Sequence, residues 1–587
     1  MKNNLVLSSY EKSLAHDCCN IFLEERTFFE VEKKPPSYVI LDPILFYNKD
    51  RIESFNECEK IYHSILDDLY LKLNKIHNVQ WTKKSWEILL GFWLRKFIYI
   101  VFFKFNNLET ILKQKKIDKV YLSRTLTGLL ASHESKAIED LSINNDWSWI
   151  LYSKIFEYFE IKNIEINILE SEISNYYEEK TLFEKLNKNK KNLKKRIVQS
   201  YNNLTNRLLS EKRNFIAGTY LPVFQEKKLQ ILFGQIPTFY TPPYIKYHPI
   251  DLNLRHGIEL KKKSLIKEKI IRDLLPSYIP TSILENFKML KSAAEKHHFP
   301  KKPKFIFTSN IFESDEAFKF YVANIKSSNK YPKYFVGQHG NSYFTRIDNN
   351  YRNEMLTCDY FISWGQKGFE NKKIINLFNL KMPQKKIQNN KNKILIIFRS
   401  LGYQAVPYDR WKEGKEEFLM IKTFLKFFST DLSKYVHLRF HRSFQNRYKI
   451  FVQNYLSDIL HFEKDFGEES YEKAIDDAKL CIFSYDSTGF LENLLSNKPS
   501  VCLYPNIYNH LNEDCKKYYK NLKDAKIIFD ESEEMYNHIN TIWPDVNLWW
   551  NTDKIQNAII NFSKIFSAPA SKKSLSIIKE KIVEKLG

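Results

Sequence analysis

Residues 333–365 read KYFVGQHGNSYFTRIDNNYRNEMLTCDYFISWG. This stretch predicts two short apolar strands, Tyr334–Gly337 and Tyr360–Trp364, with a polar loop between them. The loop begins with the triplet QHG, residues 338–340. Loops that are held by a rigid sheet are where binding and catalytic residues concentrate. The stretch therefore predicts a sheet edge that carries a functional site.

The chain from about residue 300 onward alternates predicted strands with predicted helices. Besides the two strands above, the predicted strands are Lys304–Thr308, Ile394–Phe398, Val436–Phe440, Leu480–Ser484, Ser500–Tyr504 and Lys526–Phe529. The predicted helices include Asp315–Ile325, Glu416–Phe428 and Phe490–Leu495. Strands that alternate with helices form parallel sheets through right-handed crossovers. The sequence therefore predicts an α/β protein.

The first part of the chain has a more helical pattern, above all in residues 84–135. Its most apolar tract is Trp86–Phe105. A membrane span needs ~20 apolar residues in a row, and Arg95 and Lys96 interrupt this tract, so we expect a buried helix. The short strand candidates in this part are Tyr38–Leu41 and Asn163–Ile168.

Length and charge limit the possible classes of protein. The chain has 587 residues, which predicts two large domains rather than one core. Its formal net charge of +22 favours anionic partners such as phosphate-rich substrates, nucleic acid or an anionic membrane face. Lys185–Arg196 and Lys261–Lys269 hold much of the excess and are either solvated helix faces or membrane-surface patches. Arginine clusters with interleaved aromatic residues, which would favour nucleic-acid binding, are not found.

The cysteines predict a reducing compartment. There are seven of them, an odd number, and no two form a C-x-x-C pair. This usage is typical of a cytosolic protein and gives no zinc signal. The first 20 residues lack the apolar core of a secretory signal. We therefore expect a cytoplasmic protein without a metal site.

A second stretch, residues 480–505, reads LCIFSYDSTGFLENLLSNKPSVCLYP. A buried strand is followed by a polar turn with Asp486, Ser487 and Thr488, and then by a helix that bears Glu492. A helix that begins at the carboxyl end of a parallel strand offers free N–H groups to a phosphate. Alternatively, Asp486 or Ser487 only caps the helix. The stretch matches neither a Walker loop nor G-x-G-x-x-G.

Three basic residues follow predicted strands of the same half. Arg439 and His441 alternate along one strand and share a face, so both could reach one crevice. Arg399 ends the first strand of this half and could reach the same crevice. Arginine suits a phosphate or carboxylate ligand. The alternative is that these residues lie at an exposed strand end and bind no ligand.

The first stretch offers groups for acid–base chemistry. His339 could transfer a proton or bind an anion, although a single histidine is more often structural. Gly340 permits a turn that brings backbone close to a ligand. Asp315 and Glu316 follow another strand of this half, and carboxylates near a histidine are candidate nucleophiles, bases or acids.

Several motifs occur in order over residues 80–565. They are Trp86-Glu87-Ile88-Leu89, Gly91-Phe92-Trp93-Leu94, Asp146-Trp147, Ser309-Asn310, Glu316-Ala317-Phe318-Lys319, Gln338-His339-Gly340, Asp359-Tyr360-Phe361, Trp364-Gly365, Asp486-Ser487-Thr488 and Phe490-Leu491-Glu492. In this order they resemble the bacterial O-antigen transferase family. That family is similar to the Kdo and other ulosonic-acid transferases of capsule and lipopolysaccharide assembly.

The resemblance implies a GT-B-like α/β fold, with two Rossmann-like domains facing across a cleft and extra N-terminal helices. It places an acceptor-side domain with helical insertions at residues 1–375 and a nucleotide-sugar-binding domain at residues 390–565. Residues 566–587 would form a terminal helix. Catalysis in such enzymes is metal-independent, so no cofactor is expected beyond the nucleotide-sugar co-substrate.

The resemblance also implies roles for residues. The donor would be a CMP-activated sugar acid, with its phosphate on Ser487 and Thr488 and its ribose on Glu492. The loop with Gln338, His339 and Gly340 would contact the donor from the opposite domain. Asp315 or Glu316 would be the nucleophile if the enzyme retains configuration.

The chain departs from the pattern of this family at two positions. The second of two glycines that usually follow Gln-His is Asn341 here, and Gly365 is followed by Gln366 instead of tryptophan.

The expected function is thus a glycosyltransferase of surface-polysaccharide synthesis. It would add a CMP-activated ulosonic or sialic-type acid to a polysaccharide or lipid-linked glycan, in the cytoplasm or at the inner leaflet of the membrane, with no nucleic-acid partner. Three alternatives stay open: an enzyme of the same fold with another nucleotide-sugar donor, a basic nucleic-acid-binding protein, and a catalytically silent scaffold for glycan assembly.

Overall fold

The structure is a computed structural model. It describes residues 2–41, 49–124, 130–170, 209–243, 248–327, 332–349, 352–365, 371–384, 391–399, 405–408, 410–428, 430–441 and 455–587, with a few single positions between these ranges.

The strands form three parallel sheets. Sheet 1 has the order β3-β2-β1-β4-β5 and consists of β1 (Lys2–Val6), β2 (Cys18–Phe22), β3 (Tyr38–Ile40), β4 (Lys119–Arg124) and β5 (Glu165–Glu170). Sheet 2 has the order β10-β9-β8-β7-β6 and consists of β6 (Phe215–Ile216), β7 (Phe305–Thr308), β8 (Lys333–Gly337), β9 (Tyr360–Ser363) and β10 (Ile374–Asn376). Sheet 3 has the order β13-β12-β11-β14-β15-β16 and consists of β11 (Ile394–Ile397), β12 (Val436–Arg439), β13 (Glu463–Asp465), β14 (Leu480–Phe483), β15 (Ser500–Leu503) and β16 (Ile528–Phe529).

The helices lie between and around these strands. Those of the first part are α1 (Glu25–Glu30), α2 (Lys49–His77), α3 (Lys83–Gln114), α4 (Ala137–Leu141), α5 (Asn145–Phe156), α6 (Val223–Leu232), α7 (Leu252–His256), α8 (Ile266–Tyr278), α9 (Phe287–Lys296), α10 (Ile311–Ser314), α11 (Glu316–Lys326) and α12 (Asn353–Thr357). Those of the second part are α13 (Arg410–Lys426), α14 (Thr430–Ser433), α15 (Tyr471–Asp476), α16 (Thr488–Leu495), α17 (Lys516–Asp524), α18 (Ser532–Ile542), α19 (Val546–Trp550), α20 (Asp553–Phe566) and α21 (Ser574–Leu586).

The predicted α/β class is confirmed, and so are two parallel-sheet domains that face each other, sheets 2 and 3. The predicted strands of the second half are all present, with ends that differ by one or two residues. Sheet 3 has the strand order 3-2-1-4-5-6, which is that of dinucleotide-binding domains.

Sheet 1 was predicted only in part: β3 and β5 match the predicted strands Tyr38–Leu41 and Asn163–Ile168, whereas β1, β2 and β4 were not predicted. Its strands β1 and β2 carry Asn4 and Asn20, which interrupt the apolar pattern that predicts strands. In the fold both asparagines are fully buried, and Asn4 Nδ2 donates to Asn20 Oδ1 at 2.8 Å. β4 lies inside residues 84–135, which have a helical pattern as a whole.

The apolar tract Trp86–Phe105 lies within the buried helix α3, as expected. The positive charge of Arg95 in this tract is neutralised inside the protein. Its Nε lies 2.9 Å from Glu59 on α2, and its Nη2 lies 3.1 Å from Glu87. Among the helices of the described residues, none combines the length and the apolar character that crossing a membrane requires.

The strands of sheet 2 alternate between two apolar layers. Tyr334 and Val336 point into the layer that also contains α3, whereas Phe335 points into the layer on the other side. That second layer is completed by Ile578 and Ile582 of α21. The last described helix therefore returns from sheet 3 to cover sheet 2.

Candidate active site

A cavity of about 590 Å³, which we call the first cavity, opens at the carboxyl ends of β11, β12 and β14. β12 and β14 lie on opposite sides of β11, so the cavity lies where the strand order reverses. Ligands of parallel α/β sheets bind at this point. The predicted residues of its wall are Arg439, His441, Ser487, Thr488 and Glu492, and its other charged residues are Lys381, Glu469 and Glu472.

The start of α16 forms one side of the first cavity. Ser487 caps this helix, because its hydroxyl accepts a hydrogen bond from the N–H of Phe490 at 3.1 Å. The capping alternative is therefore correct for the Ser487 side chain, and Ser487 and Thr488 still line the cavity. The first N–H groups of a helix and its positive dipole end favour an anion at this place.

Glu492 lies one turn into α16 and lines the same cavity. Its carboxylate forms an ion pair of 2.6 Å with Lys381, which belongs to the segment after β10 of sheet 2. Lys381 also lies 5.6 Å from the centre of the Tyr220 ring. The two halves of the molecule therefore meet across the first cavity through opposite charges.

Two of the three predicted basic residues line the first cavity. The guanidinium of Arg439 binds the Asp465 carboxylate and donates to the carbonyl of Glu469 at 3.0 Å. His441 is exposed at the cavity wall. Arg399 is 6 % exposed, binds Glu417 on α13 and does not line the cavity.

The QHG loop reaches α16, as predicted. The backbone N–H of Asn341 donates to Thr488 Oγ1 at 3.0 Å. A Cβ atom on Gly340 would lie 3.2 Å from the same oxygen, which is a tight contact, so the glycine allows this approach. Gln338 is 3 % exposed and shapes the loop, because its amide binds the N–H of Trp364 at 2.9 Å and the carbonyl of Gly340 at 2.8 Å.

Asp486 lies in the joint between the two halves and not in the first cavity. The Asn341 amide binds its carbonyl and its carboxylate, and the Tyr519 hydroxyl donates to the carboxylate at 2.6 Å. Burial raises the pKa of Asp486, and the nearby Arg346 opposes this shift. The residue therefore fixes the position of the Asn341 loop.

His339 has acceptors at both ring nitrogens. Nε2 lies 3.0 Å from the Glu313 carboxylate, and Nδ1 lies 2.6 Å from the Tyr343 hydroxyl. Tyr343 donates its single hydrogen to Glu354 at 2.7 Å. The imidazole of His339 is thus held between the Glu313 carboxylate and the Tyr343 hydroxyl.

Glu313 is the carboxylate that the structure places at His339. Burial by itself would raise the pKa of Glu313, but the hydrogen bond from His339 and the charges of His339, Lys136 and Arg352 lower it to about 2. The group is therefore ionised at neutral pH and accepts a hydrogen bond from His339.

The structure places the predicted carboxylates Asp315 and Glu316 away from this cluster. Asp315 caps α11 by accepting the N–H of Phe318 at 2.9 Å, and it also accepts the Tyr240 hydroxyl. Glu316 is 2 % exposed, and its oxygens accept from Lys319 at 2.5 Å and from the backbone N–H of Ser135 at 3.0 Å. Both carboxylates are thus held by structural contacts.

Three residues of the cleft were missed by sequence reasoning: Tyr220, Glu313 and Lys381. Tyr220 has a φ of 64°, a left-handed conformation that is uncommon for an aromatic residue and is often found at functional sites. Its ring lies 5.9 Å from that of His339. The glycine two positions earlier, Gly218, is also left-handed and was the available signal.

Within the described ranges there is no cluster of three or more histidine, cysteine, aspartate or glutamate residues that could bind a metal ion.

Comparison with known proteins gives one match over nearly the whole chain. The family model described as LIC12162 family transferase matches residues 4–582. No curated protein sequence matches the chain.

Two solved structures are partly similar in fold. One is that of a Listeria monocytogenes protein assigned as UDP-N-acetylglucosamine 2-epimerase, with 10 % identity and a TM-score of 0.33 over 51 % of this chain and 78 % of that one. The other is that of accessory secretory proteins 1, 2 and 3 of Streptococcus pneumoniae, with 10 % identity and a TM-score of 0.30 over 52 % of this chain and 58 % of that one.

Proposed function

Since the chain belongs to the LIC12162 family of transferases, we propose that it is a glycosyltransferase that uses a nucleotide-sugar donor. The proposed donor is a CMP-activated sugar acid, and the proposed acceptor is a surface polysaccharide or lipid-linked glycan. The observation that carries the proposal is the first cavity, which combines the strand-order reversal of sheet 3, the start of α16 and cations from both halves.

The donor phosphate would lie at the start of α16. The Asn341 N–H occupies a lone pair of Thr488 Oγ1, so the hydroxyl hydrogen of Thr488 is directed elsewhere and can be donated to a phosphate oxygen. The Lys381 ammonium and the Arg439 guanidinium line the same cavity. When the bond between the sugar and the phosphate breaks, these groups would stabilise the negative charge of the leaving nucleotide.

Glu313, the carboxylate at His339, would not act as the general base. A carboxyl with a pKa of about 2 is a weak base, so Glu313 is unsuited to take the proton of the acceptor hydroxyl. Its contact with His339 instead holds the imidazole at the edge of the cleft. There the imidazole would contact the sugar or phosphate of the donor from the side of sheet 2.

The test compares two neighbouring hydroxyl residues. Thr488→Val should weaken nucleotide binding about tenfold, the loss expected for one hydrogen bond to a charged group. Ser487→Ala should mainly lower stability by ~1 kcal/mol through the lost cap. Both are measured by calorimetric titration with CMP, UDP, GDP and their sugars, and by thermal unfolding. The proposal fails if the wild-type protein binds none of these nucleotides.

We also propose that the protein works at an anionic membrane surface. The lysine-rich Lys185–Arg196 lies outside the described residues, so the support comes from α6. Val223, Phe224 and Ile231 on this helix are 67 %, 68 % and 58 % exposed. Lys228 Nζ lies 4.5 Å from the centre of the Phe224 ring. Apolar residues next to a lysine fit the boundary between anionic headgroups and acyl chains.

Vesicle sedimentation tests this second proposal. The protein should bind phosphatidylglycerol vesicles more strongly than phosphatidylcholine vesicles. The double variant Val223→Ser/Phe224→Ser should lose at least about tenfold in partitioning, since each buried apolar side chain contributes about 1.5–3 kcal/mol. Leu548→Ser is the matched control, because Leu548 is 72 % exposed but lies on α19. An equal loss in both variants would contradict the assignment to α6.

A further inference from the structure

A second cavity, of about 360 Å³, lies between α3, α4 and the segments around α10 and α12. Its size falls within the range of roughly 300–1,000 Å³ that small-molecule sites occupy. It is separate from the first cavity in its lining residues. Nothing in the proposed donor site makes use of it.

The second cavity shares its wall with the environment of His339. Glu313 lines it and lies 3.0 Å from His339 Nε2. Glu354 lines it and is connected to His339 Nδ1 through Tyr343. His339 is in turn two residues before Asn341, whose N–H donates to Thr488 Oγ1 of the first cavity. The two cavities therefore lie on opposite sides of one charged cluster.

The lining charges of the second cavity are close to balance. Its cations are Arg95, Lys96, Lys136 and Arg352, and its acids are Glu139, Asp140, Glu313, Asp348 and Glu354. Most are already matched, for example Lys96 with Glu139 at 3.8 Å, Lys136 with Glu313 at 3.8 Å and Arg352 with Glu354 at 3.5 Å. Such a wall has no excess positive charge to attract a phosphate or a second sugar acid.

The wall is nevertheless rich in groups that suit hydroxyls. Carboxylates accept hydrogen bonds and ammonium groups donate them, which matches a hydroxyl on both counts. Phe92 and Phe312 add apolar faces. Burial raises the pKa of Glu139, and Lys96 opposes this shift. A compact ligand with several hydroxyls and an apolar ring face fits this combination.

We propose that the second cavity binds the acceptor through an uncharged saccharide unit, whose hydroxyls are held by Glu139 and Lys136. This inference rests on the proposed glycosyltransferase function, and it assigns to that function an acceptor class, neutral and not anionic. His339 then lies between the donor and the acceptor.

Saturation-transfer NMR tests the proposal with galactose, N-acetylglucosamine and glucuronic acid as probes and CMP as the donor-site reporter. The neutral sugars should receive saturation from the wild-type protein, and glucuronic acid should receive less. Glu139→Ala should weaken the neutral-sugar signal about tenfold without changing that of CMP. Glu139→Gln keeps one acceptor oxygen and the side-chain size. Its neutral-sugar signal should lie between the signals of the wild type and of Glu139→Ala.

A matched surface control is Glu295→Gln, since Glu295 forms an exposed ion pair with Lys291 on α9. The acceptor assignment is overturned if CMP binds but no neutral sugar does, if glucuronic acid binds better, or if Glu139→Ala leaves the sugar signal unchanged. Failure of CMP and every other nucleotide to bind would instead overturn the proposed function itself.

Discussion

At the scale of single residues, the cleft depends on the pair formed by His339 and Glu313. The pKa of Glu313 is lowered from 4.5 to about 2 in the folded protein. A lowered pKa means that the ionised form stabilises the fold above the unfolded pKa, and that this contribution is lost as the pH falls toward the folded value. The contribution of the ionised Glu313 carboxylate is therefore lost in acid.

The first prediction concerns Glu313→Gln. The variant should unfold at a lower temperature than the wild type at pH 7, because it lacks the carboxylate that the hydrogen bond from His339 and the charges of Lys136 and Arg352 stabilise. The difference should shrink as the pH falls from about 4.5 toward about 2, where Glu313 becomes protonated. Thermal unfolding at a series of pH values measures it. A difference that stays constant over this range would contradict the role of the ionised carboxylate.

The residues that sequence reasoning found and missed differ in their local pattern. His339 lies two residues after β8 and Thr488 five residues after β14, and a strand end is visible as a change from apolar to polar residues. Glu313 lies on the four-residue helix α10, which is too short to show periodicity. Lys381 and Tyr220 lie in segments between elements, and contacts of distant segments cannot be inferred from one sequence.

At the scale of elements, the end of β9 and the end of α20 are in direct contact. A Cβ atom on Gly365 would lie 2.1 Å from the carbonyl oxygen of Ile565, so only a glycine fits there. The N–H of Ala568 donates to the carbonyl of Trp364 at this place. The junction joins sheet 2 to the segment that leads into α21.

The second prediction follows from this junction. Gly365→Ala should lower the free energy of unfolding by at least about 1–3 kcal/mol, because backbone atoms must move to admit the methyl group. Gly257→Ala is the matched control, since its Cβ would lie 3.4 Å from the nearest atom and its backbone is not left-handed. Urea unfolding measures both. Equal stability of the two variants would show that the junction can adapt.

The elements also show why part of the fold was visible in the sequence. In sheet 3 the strands β11, β14 and β15 are short apolar runs bounded by polar turns, so their positions and their parallel pairing could be predicted, whereas β13 is polar and was missed. In sheet 1 the strands β1 and β2 were hidden, because the buried pair of Asn4 and Asn20 satisfies its hydrogen bonds between the two strands. A polar residue with a remote partner has the same appearance in a sequence as an exposed one.

At the scale of the whole molecule, the two halves are joined by buried polar contacts around the cleft. The side chain of Asn341 binds Asp486, and the guanidinium of Arg346 binds the Tyr504 hydroxyl. Arg51 of α2 contacts His510 at 3.0 Å, so the N-terminal helices take part. Buried polar groups are costly when they lose a partner, and the relative position of the halves is therefore specified.

The third prediction is that Asn341→Ala weakens nucleotide binding although Asn341 is not part of the first cavity. The substitution removes the contacts of the Asn341 amide with Asp486, and it loosens the hydrogen bond from the Asn341 backbone that orients Thr488. An effect of about tenfold is expected in calorimetric titration.

The control for Asn341→Ala is Asn551→Ala, whose exposed amide binds only within its own helix end among the contacts described. If Asn341→Ala leaves the affinity for nucleotides unchanged, the contact between Asn341 and Asp486 does not influence the donor site, and the prediction is wrong.

The return of α21 to sheet 2 has a consequence for how the protein is made. Ile578 and Ile582 cover the face of sheet 2 that contains Phe335, and they lie about 240 residues further along the chain. At a synthesis rate of roughly 5–20 residues per second, that face is translated roughly 10 to 50 seconds before its cover. During this interval a nascent chain exposes an aromatic surface at the ribosome, which makes it a client for chaperones that bind apolar segments.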